Sequence, residues 1–246
     1  KVVAIVRNGQ RTEALSEGED GEVVLDVTPF YAASGGQVGD TGILEAATAT
    51  VHVTDTKAPL AKFPLHVAKV TQGTLRVGDA VHAQVDVVAR TATQAHHTAT
   101  HLLQAALRNV LGDHVHQAGS LVAPDRLRFD FTHFEGIDIA RLLDIEREVN
   151  RHVRTDAPVA IAPMGLSEAR AAGAMALFGE KYEDVVRVVK VGDISMELCG
   201  GTHVPRTGVI GYFKVLSESS ISAGVRRIEA VCGEPCVDVI QEREGA

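Results

Sequence analysis

Two short patterns in this 246-residue sequence carry side chains that bind metals. In His97-Thr-Ala-Thr-His101 two imidazoles stand four residues apart, and on a helix such residues lie one above the other on the same face. Far along the chain, Cys199-Gly-Gly-Thr-His203 adds a thiolate and a third imidazole, with small residues between them that permit a tight bend. Three His and one Cys is a ligand set that zinc accepts. A lone His pair on a helix is more often surface decoration or core packing, and a lone Cys near a His is weaker still. Both halves in one chain predict a shared zinc site at His97, His101, Cys199 and His203. His96 competes for the first position, but it is rotated about 100° from His97 around the helix axis. His114 and His116 alternate along an expected strand, and Cys232 and Cys236 flank Pro235 at an expected helix start. No metal role is expected for the two histidines, and the two cysteines read as packing residues.

The residues following His97 lack the Glu that supplies a helix-borne base in zinc peptidases, which sets that chemistry aside. Four protein ligands would close a structural site, whereas a catalytic zinc keeps a position open for water or substrate. The spacing leaves both readings standing. Asp130 and Glu197 lie near the ligands in sequence and can orient an imidazole from behind, although a solvated surface carboxylate is the first expectation for each. Lys181, Lys190, Arg206 and Lys214 read first as ordinary solvated charge, and second as phosphate contacts.

The elements that must position these groups change character along the chain. Up to about residue 88, short Val-rich runs alternate with turn signals such as Asn8-Gly9, Asp20-Gly21 and Gly78-Asp79, which predicts a small antiparallel barrel or sandwich. Within it, Gly35, Gly36, Gly39 and Gly42 crowd one loop, read first as a tight turn and second as a path for a bound RNA end. Near Thr91-Ala-Thr-Gln94, a possible capping box, the pattern turns helical through Leu102, Leu103, Ala106, Leu107, Val110 and Leu111, with Gly112 as terminator. Further on, the pattern predicts a strand at 127–131, a helix at 139–153, a strand at 159–162 and a short helix from Ser167. Strands at 185–191, 209–216 and 225–231 follow, and a last helix starts near Pro235. Two domains are expected, at residues 1–88 and 89–246, and the fold class is α+β.

Composition narrows the function. An apolar fraction of 45% supports a globular core, and the scarcity of aromatics, at 4% with no Trp, means that Val, Ala, Leu and Ile must fill it. A net charge of −8 argues against a broad electrostatic grip on nucleic acid, so any RNA substrate should be held by a short piece. Three cysteines do not form a disulfide framework, and a reducing cytoplasmic location is expected. No apolar run approaches the roughly 20 residues that span a bilayer, so no membrane partner is expected. A first residue Lys1 that already stands in a strand-like run suggests a piece cut from a longer chain.

The two metal-binding patterns, in the form His97-Thr-Ala-Thr-His101-Leu-Leu and Cys199-Gly-Gly-Thr-His203, resemble the zinc site of the alanyl-tRNA synthetase editing domain and its free-standing relatives. Thr28-Pro-Phe-Tyr31, Ser34-Gly-Gly-Gln-Val-Gly-Asp-Thr-Gly42, Gln117-Ala-Gly-Ser120, Leu127-Arg-Phe-Asp-Phe131 and Gly224-Val-Arg-Arg-Ile-Glu229 agree in order and spacing. The resemblance covers nearly the whole chain. It implies an N-terminal antiparallel β-barrel followed by an α/β editing domain of the threonyl/alanyl-tRNA synthetase type. It also implies an enzyme, a zinc-dependent hydrolase that deacylates Ser-tRNA or Gly-tRNA formed on the alanine-accepting tRNA, with Zn2+ on His97, His101, Cys199 and His203. By the same resemblance Gln117 stands near the substrate or water. Thr100 is a second candidate to recognise a serine hydroxyl, ranked behind it. Arg226 and Arg227, with Gly35 and Gly36, are candidates to meet the tRNA end, at most one of the two arginines facing the site. The aminoacylation domain, tRNA-recognition helices and dimerising part of that family are expected elsewhere in a full-length protein, a natural stand-alone editing protein being the lesser expectation. The rivals are an RNA-binding module with purely structural zinc and a zinc hydrolase of another substrate class.

Overall fold

The computed structural model describes residues 1–60, 63–176 and 182–244. In chain order the elements are β1 (Val2–Arg7), β2 (Gln10–Thr12), β3 (Ala14–Ser16), β4 (Asp20–Leu25), β5 (Gly42–Ala46), β6 (Ala49–Leu60), β7 (Phe63–Arg76), β8 (Val81–Val85), α1 (Val87–Leu111), β9 (Gln117–Val122), β10 (Leu127–Thr132), α2 (Ile139–Arg154), β11 (Val159–Gly165), α3 (Leu166–Ala171), β12 (Val185–Val191), β13 (Ser195–Leu198), a 3-10 turn (Thr207–Ile210), β14 (Phe213–Ser222), β15 (Val225–Cys232) and α4 (Glu234–Glu244). They form two compact units, Lys1–Arg90 and Thr91–Ala246. The class is α+β and rich in sheet.

The first unit is one antiparallel sheet in the order β2-β1-β4-β7-β6-β5-β8, with β3 paired to the far half of β7. Strand β6 shows how the sequence builds it. Ala49, Val51 and Val53 alternate inward onto Val2, Ile5, Leu44, Val70 and Leu75, while His52 and Thr54 face out. The expected barrel is corrected here, because no ladder joins the end strands β2 and β8 among the described residues. The start of β1 reaches the turn before β8 only through Val2 N–H to Asp79 O and Gly78 N–H to Val2 O, each 2.9 Å. Closure depends on strand tilt and stagger, which alternation and turn signals do not encode.

The crowded glycine loop is a tight turn. Ser34 and Gln37 exchange backbone hydrogen bonds of 3.1 and 3.0 Å around Gly35 (φ 57°) and Gly36 (φ 86°), a two-residue turn with both central residues left-handed. The Asp40 carboxylate accepts from Tyr31 N and from the Arg90 guanidinium, fixing the loop ends.

In the second unit the sheet β14-β15-β10-β9 and the sheet β11-β12-β13 are both antiparallel. Helix α1 starts a turn earlier than the Thr91 capping box suggested, because the Asp86 carboxylate accepts from Ala89 N at 3.0 Å. Every residue from Ala95 to Leu107 is buried, so α1 is a central helix rather than a surface one. Leu102, Leu103, Ala106 and Leu107 meet Phe129, Phe131, Ile228 and Ala230 in the core. Its polar residues must therefore find partners inside the protein, and it carries the first half of the site.

Three other expectations change. Residues 114–116 precede β9 instead of lying in a strand, the 209–216 strand begins only at Phe213 after the 3-10 turn and Gly211 (φ 73°), and β13 was not foreseen. It is a short strand whose residues are largely buried, preceded by a turn at Gly192-Asp193.

Candidate metal centre

On α1 the rings of His97 and His101 stack with centroids 5.4 Å apart and planes 4° from parallel. The second half arrives from the sheet. Strand β13 pairs with β12 and runs directly into Cys199, whose N–H donates to Arg187 O at 3.0 Å. The Arg187 guanidinium then donates to the carbonyls of Cys199 and Gly201, at 2.8 and 2.7 Å, and so bends the Cys-Gly-Gly-Thr-His segment back on itself. No local pattern in the sequence marks Arg187 for this role.

That bend sets His203 4.4 Å from His97 and 4.9 Å from His101 by ring centroid. Cys199 Sγ lies 3.4 Å from His97 Nε2 and 3.3 Å from His203 Nε2. One ligand atom from each of the four residues falls within 4.8 Å of the others. Zn–N bonds of about 2.0 Å and a Zn–S bond of about 2.3 Å at tetrahedral angles put ligand atoms roughly 3.5 Å apart, close to the sulfur–nitrogen distances here.

Groups behind the ligands fix which ring nitrogen faces the centre. The Thr98 hydroxyl donates to Gln94 O at 2.9 Å, so towards His203 Nδ1, 3.1 Å away, it acts as acceptor. His203 then carries its proton on Nδ1 and turns the Nε2 lone pair to the centre. The Glu197 carboxylate sits 2.6 Å from His101 Nδ1 and leaves His101 Nε2 buried with no hydrogen-bond partner among the described residues. An orphaned buried nitrogen among three other donors fits a cation. The electrostatics agree with that. Burial pushes the Cys199 thiol up, but the three imidazoles outweigh it and hold the group far down as thiolate. Burial pushes His101 down, and the Glu197 and Cys199 charges push it up to about 10, a proton that a bound cation would replace. Burial lowers His203 to about 3.

The remaining candidates are placed as follows. Thr100 is buried and its hydroxyl donates to His96 O at 2.8 Å. Gln117 begins β9 beside a bulge, its amide nitrogen 3.2 Å from Ser120 Oγ. Arg226 pairs with Glu218, and Arg227 makes a two-point pair with Asp130 at 2.7 and 2.8 Å. Lys190, Arg206 and Lys214 pair with Asp193, Asp156 and Glu146. Lys181 lies outside the described residues. The expectation of solvated carboxylates at Asp130 and Glu197 is corrected, since both are buried against partners. His96 is a packing residue, its Nδ1 on Ala92 O and its Nε2 accepting from Cys232 N–H at 3.1 Å. His114 Nε2 and His133 Nδ1 pair at 2.8 Å.

The family described as "Threonyl and Alanyl tRNA synthetase second additional domain" matches residues 186–229, and "tRNA synthetases class II (A)" matches residues 1–89. The first match contains Cys199 and His203, whereas His97 and His101 fall between the two. Alanine–tRNA ligases of bacteria align along the chain: 55% identical in Acidithiobacillus ferridurans and 52% in Carboxydothermus hydrogenoformans, each over 99% of this chain, and 54% in Geobacillus thermodenitrificans over 98%. The chain spans 28% of the length of each of these relatives. The resemblance drawn from the motifs is borne out.

Proposed function

We propose, for a chain homologous throughout to one segment of bacterial alanine–tRNA ligases, that it binds Zn2+ through His97, His101, Cys199 and His203 and hydrolyses the ester of Ser-tRNA and Gly-tRNA made on the alanine-accepting tRNA. The observation that carries this is the convergence of those four side chains from α1 and the β13 loop, with Thr98 and Glu197 against the outer ring nitrogens of His203 and His101. A need for such hydrolysis follows from pocket physics. A site shaped for alanine cannot strongly reject glycine, which is smaller, or serine, which adds one hydroxyl, so binding alone discriminates by only a few kcal/mol.

Zinc, when bound, supplies electrophilic polarisation and orientation at the ester. In this reading the chain's own residues hold and shape. Cys199 contributes the thiolate, Thr98 and Glu197 keep the imidazoles in one tautomer, and Gln117, ahead of Thr100, recognises the serine hydroxyl. At most one of Arg226 and Arg227 faces the site to meet the tRNA end, and the Gly35-Gly36 turn is a separate candidate contact for tRNA. The domains are residues 1–88 and 89–246, the location is cytoplasmic, and the rest of the synthetase supplies most of the tRNA grip. No described helix is long and apolar enough to cross a membrane. The fourfold protein ligand set favours a second reading, in which zinc only holds the fold together and the chain is an RNA-binding module.

One assay separates the two: hydrolysis of Ser-tRNA and Ala-tRNA, both on the alanine-accepting tRNA, by the zinc-loaded chain and by a folded Cys199→Ala variant. Selective loss of Ser-tRNA that disappears with Cys199→Ala is the expected result. Full hydrolysis by a zinc-free, folded Cys199→Ala variant would overturn the zinc-dependent reading, and cleavage of both substrates alike would overturn the editing specificity.

A further inference from the structure

We propose that Glu197 is a positioning residue of the metal centre, which locks His101 as an Nε2 ligand and supplies the second negative charge that a buried dication requires; this rests on the zinc reading above. Glu197 is buried on β13, two residues before Cys199, with which the loop begins. Both carboxylate oxygens are occupied: Oε2 faces His101 Nδ1 at 2.6 Å, and Oε1 accepts from Ser195 Oγ at 2.7 Å. Among the described residues its ion-pair partner is His101 alone, with no lysine or arginine to offset the charge.

A buried carboxylate without a basic partner is expensive unless something nearby carries positive charge. A dication on the four ligands meets that need. Its two charges are balanced by the Cys199 thiolate and the Glu197 carboxylate, so the filled centre is neutral. Geometry adds a second contribution. With its Nδ1 proton held by Glu197, His101 cannot rotate or exchange tautomers without leaving two buried groups unpaired, so its Nε2 is set before a cation arrives. Ser195 limits the carboxylate to one orientation. Because Ser195, Glu197 and Cys199 lie on one short stretch of chain, the register of β13 against β12 places the charge and the sulfur together.

The test is zinc affinity, measured by competition with a chromophoric chelator and independent of hydrolysis. Glu197→Gln keeps the size and an acceptor oxygen for His101 Nδ1–H while it removes the charge, and it should weaken zinc about 10-fold. Glu197→Ala removes both and should weaken it about 100-fold. Glu146→Gln is the control, since Glu146 is an equally buried carboxylate bound to Lys214 and to Val215 N–H. It should change zinc affinity less than twofold. Glu197→Gln within twofold of the wild-type chain would overturn the proposal, as would equal weakening by Glu146→Gln. A wild-type chain that binds no zinc would instead sink the metal reading itself.

Discussion

Replacing Thr98 with Val removes one oxygen from a site that no water reaches, and the structure allows the cost to be worked out separately for the metal-free and zinc-bound chain. The Thr98 hydroxyl is fully buried and accepts from His203 Nδ1–H at 3.1 Å and from Val204 N–H at 3.2 Å. Valine fills nearly the same space without an acceptor. In the metal-free chain His203 can move its proton to Nε2 and donate to the Cys199 sulfur 3.3 Å away, so only the Val204 amide is stranded. A stranded buried donor costs about 1–3 kcal/mol. With zinc bound, Nε2 must present its lone pair, the proton returns to Nδ1, and a second donor is stranded at a similar cost. Thr98→Val should therefore destabilise the metal-free chain by about 1–3 kcal/mol in urea unfolding. It should also weaken zinc by roughly 5- to 150-fold, the same energy expressed as a binding ratio. An unchanged zinc affinity in the competition assay would refute the tautomer assignment at His203, and a metal-free variant as stable as the wild type would refute the worth given to the Val204 hydrogen bond.

Two further outcomes are expected. Burial lowers His96 to about 4 from an unfolded value near 6.5, so the unfolded chain takes up the proton first and stability falls as pH drops below about 6.5, flattening near 4. The His96 share of the loss at pH 5 relative to pH 8 should be about 2 kcal/mol in the metal-free chain, read as the difference between the wild type and His96→Gln. A His96→Gln variant that keeps the full slope would place its origin elsewhere. A Cβ at Gly39 would overlap the Thr56 carbonyl, whereas one at Gly35 meets open space and only a left-handed backbone. Gly39→Ala should thus cost more than about 2 kcal/mol in thermal or urea unfolding, and Gly35→Ala about 1 kcal/mol. The reverse order would contradict the loop geometry.

Sequence alone was enough to name the four side chains that converge in the fold, because a four-residue helical spacing and a Cys-to-His segment with glycines are local patterns whose chemistry does not depend on what surrounds them. It also marked most strands and helices by period, and it marked the glycine turn by composition. It could not show that α1 is buried on every side, since its Thr, Gln and His residues look like a polar face until β13 and the segment from Cys199 to Val204 cover His97, Thr98 and His101, and Cys232 covers His96. Glu197 illustrates the same limit. As a letter it is a carboxylate, solvated by default, and only the pairing of β13 with β12 brings it 2.6 Å from a histidine 96 positions earlier in the chain. Arg187 was invisible for the same reason, because its work is done on the backbone of a loop distant in sequence. Sheet closure was misjudged because alternation counts strands and assigns their faces, while the ends of a sheet meet or miss according to accumulated twist and stagger. Which atoms could bind was local information; which way each proton points, and what charge stands behind it, was decided by long-range register.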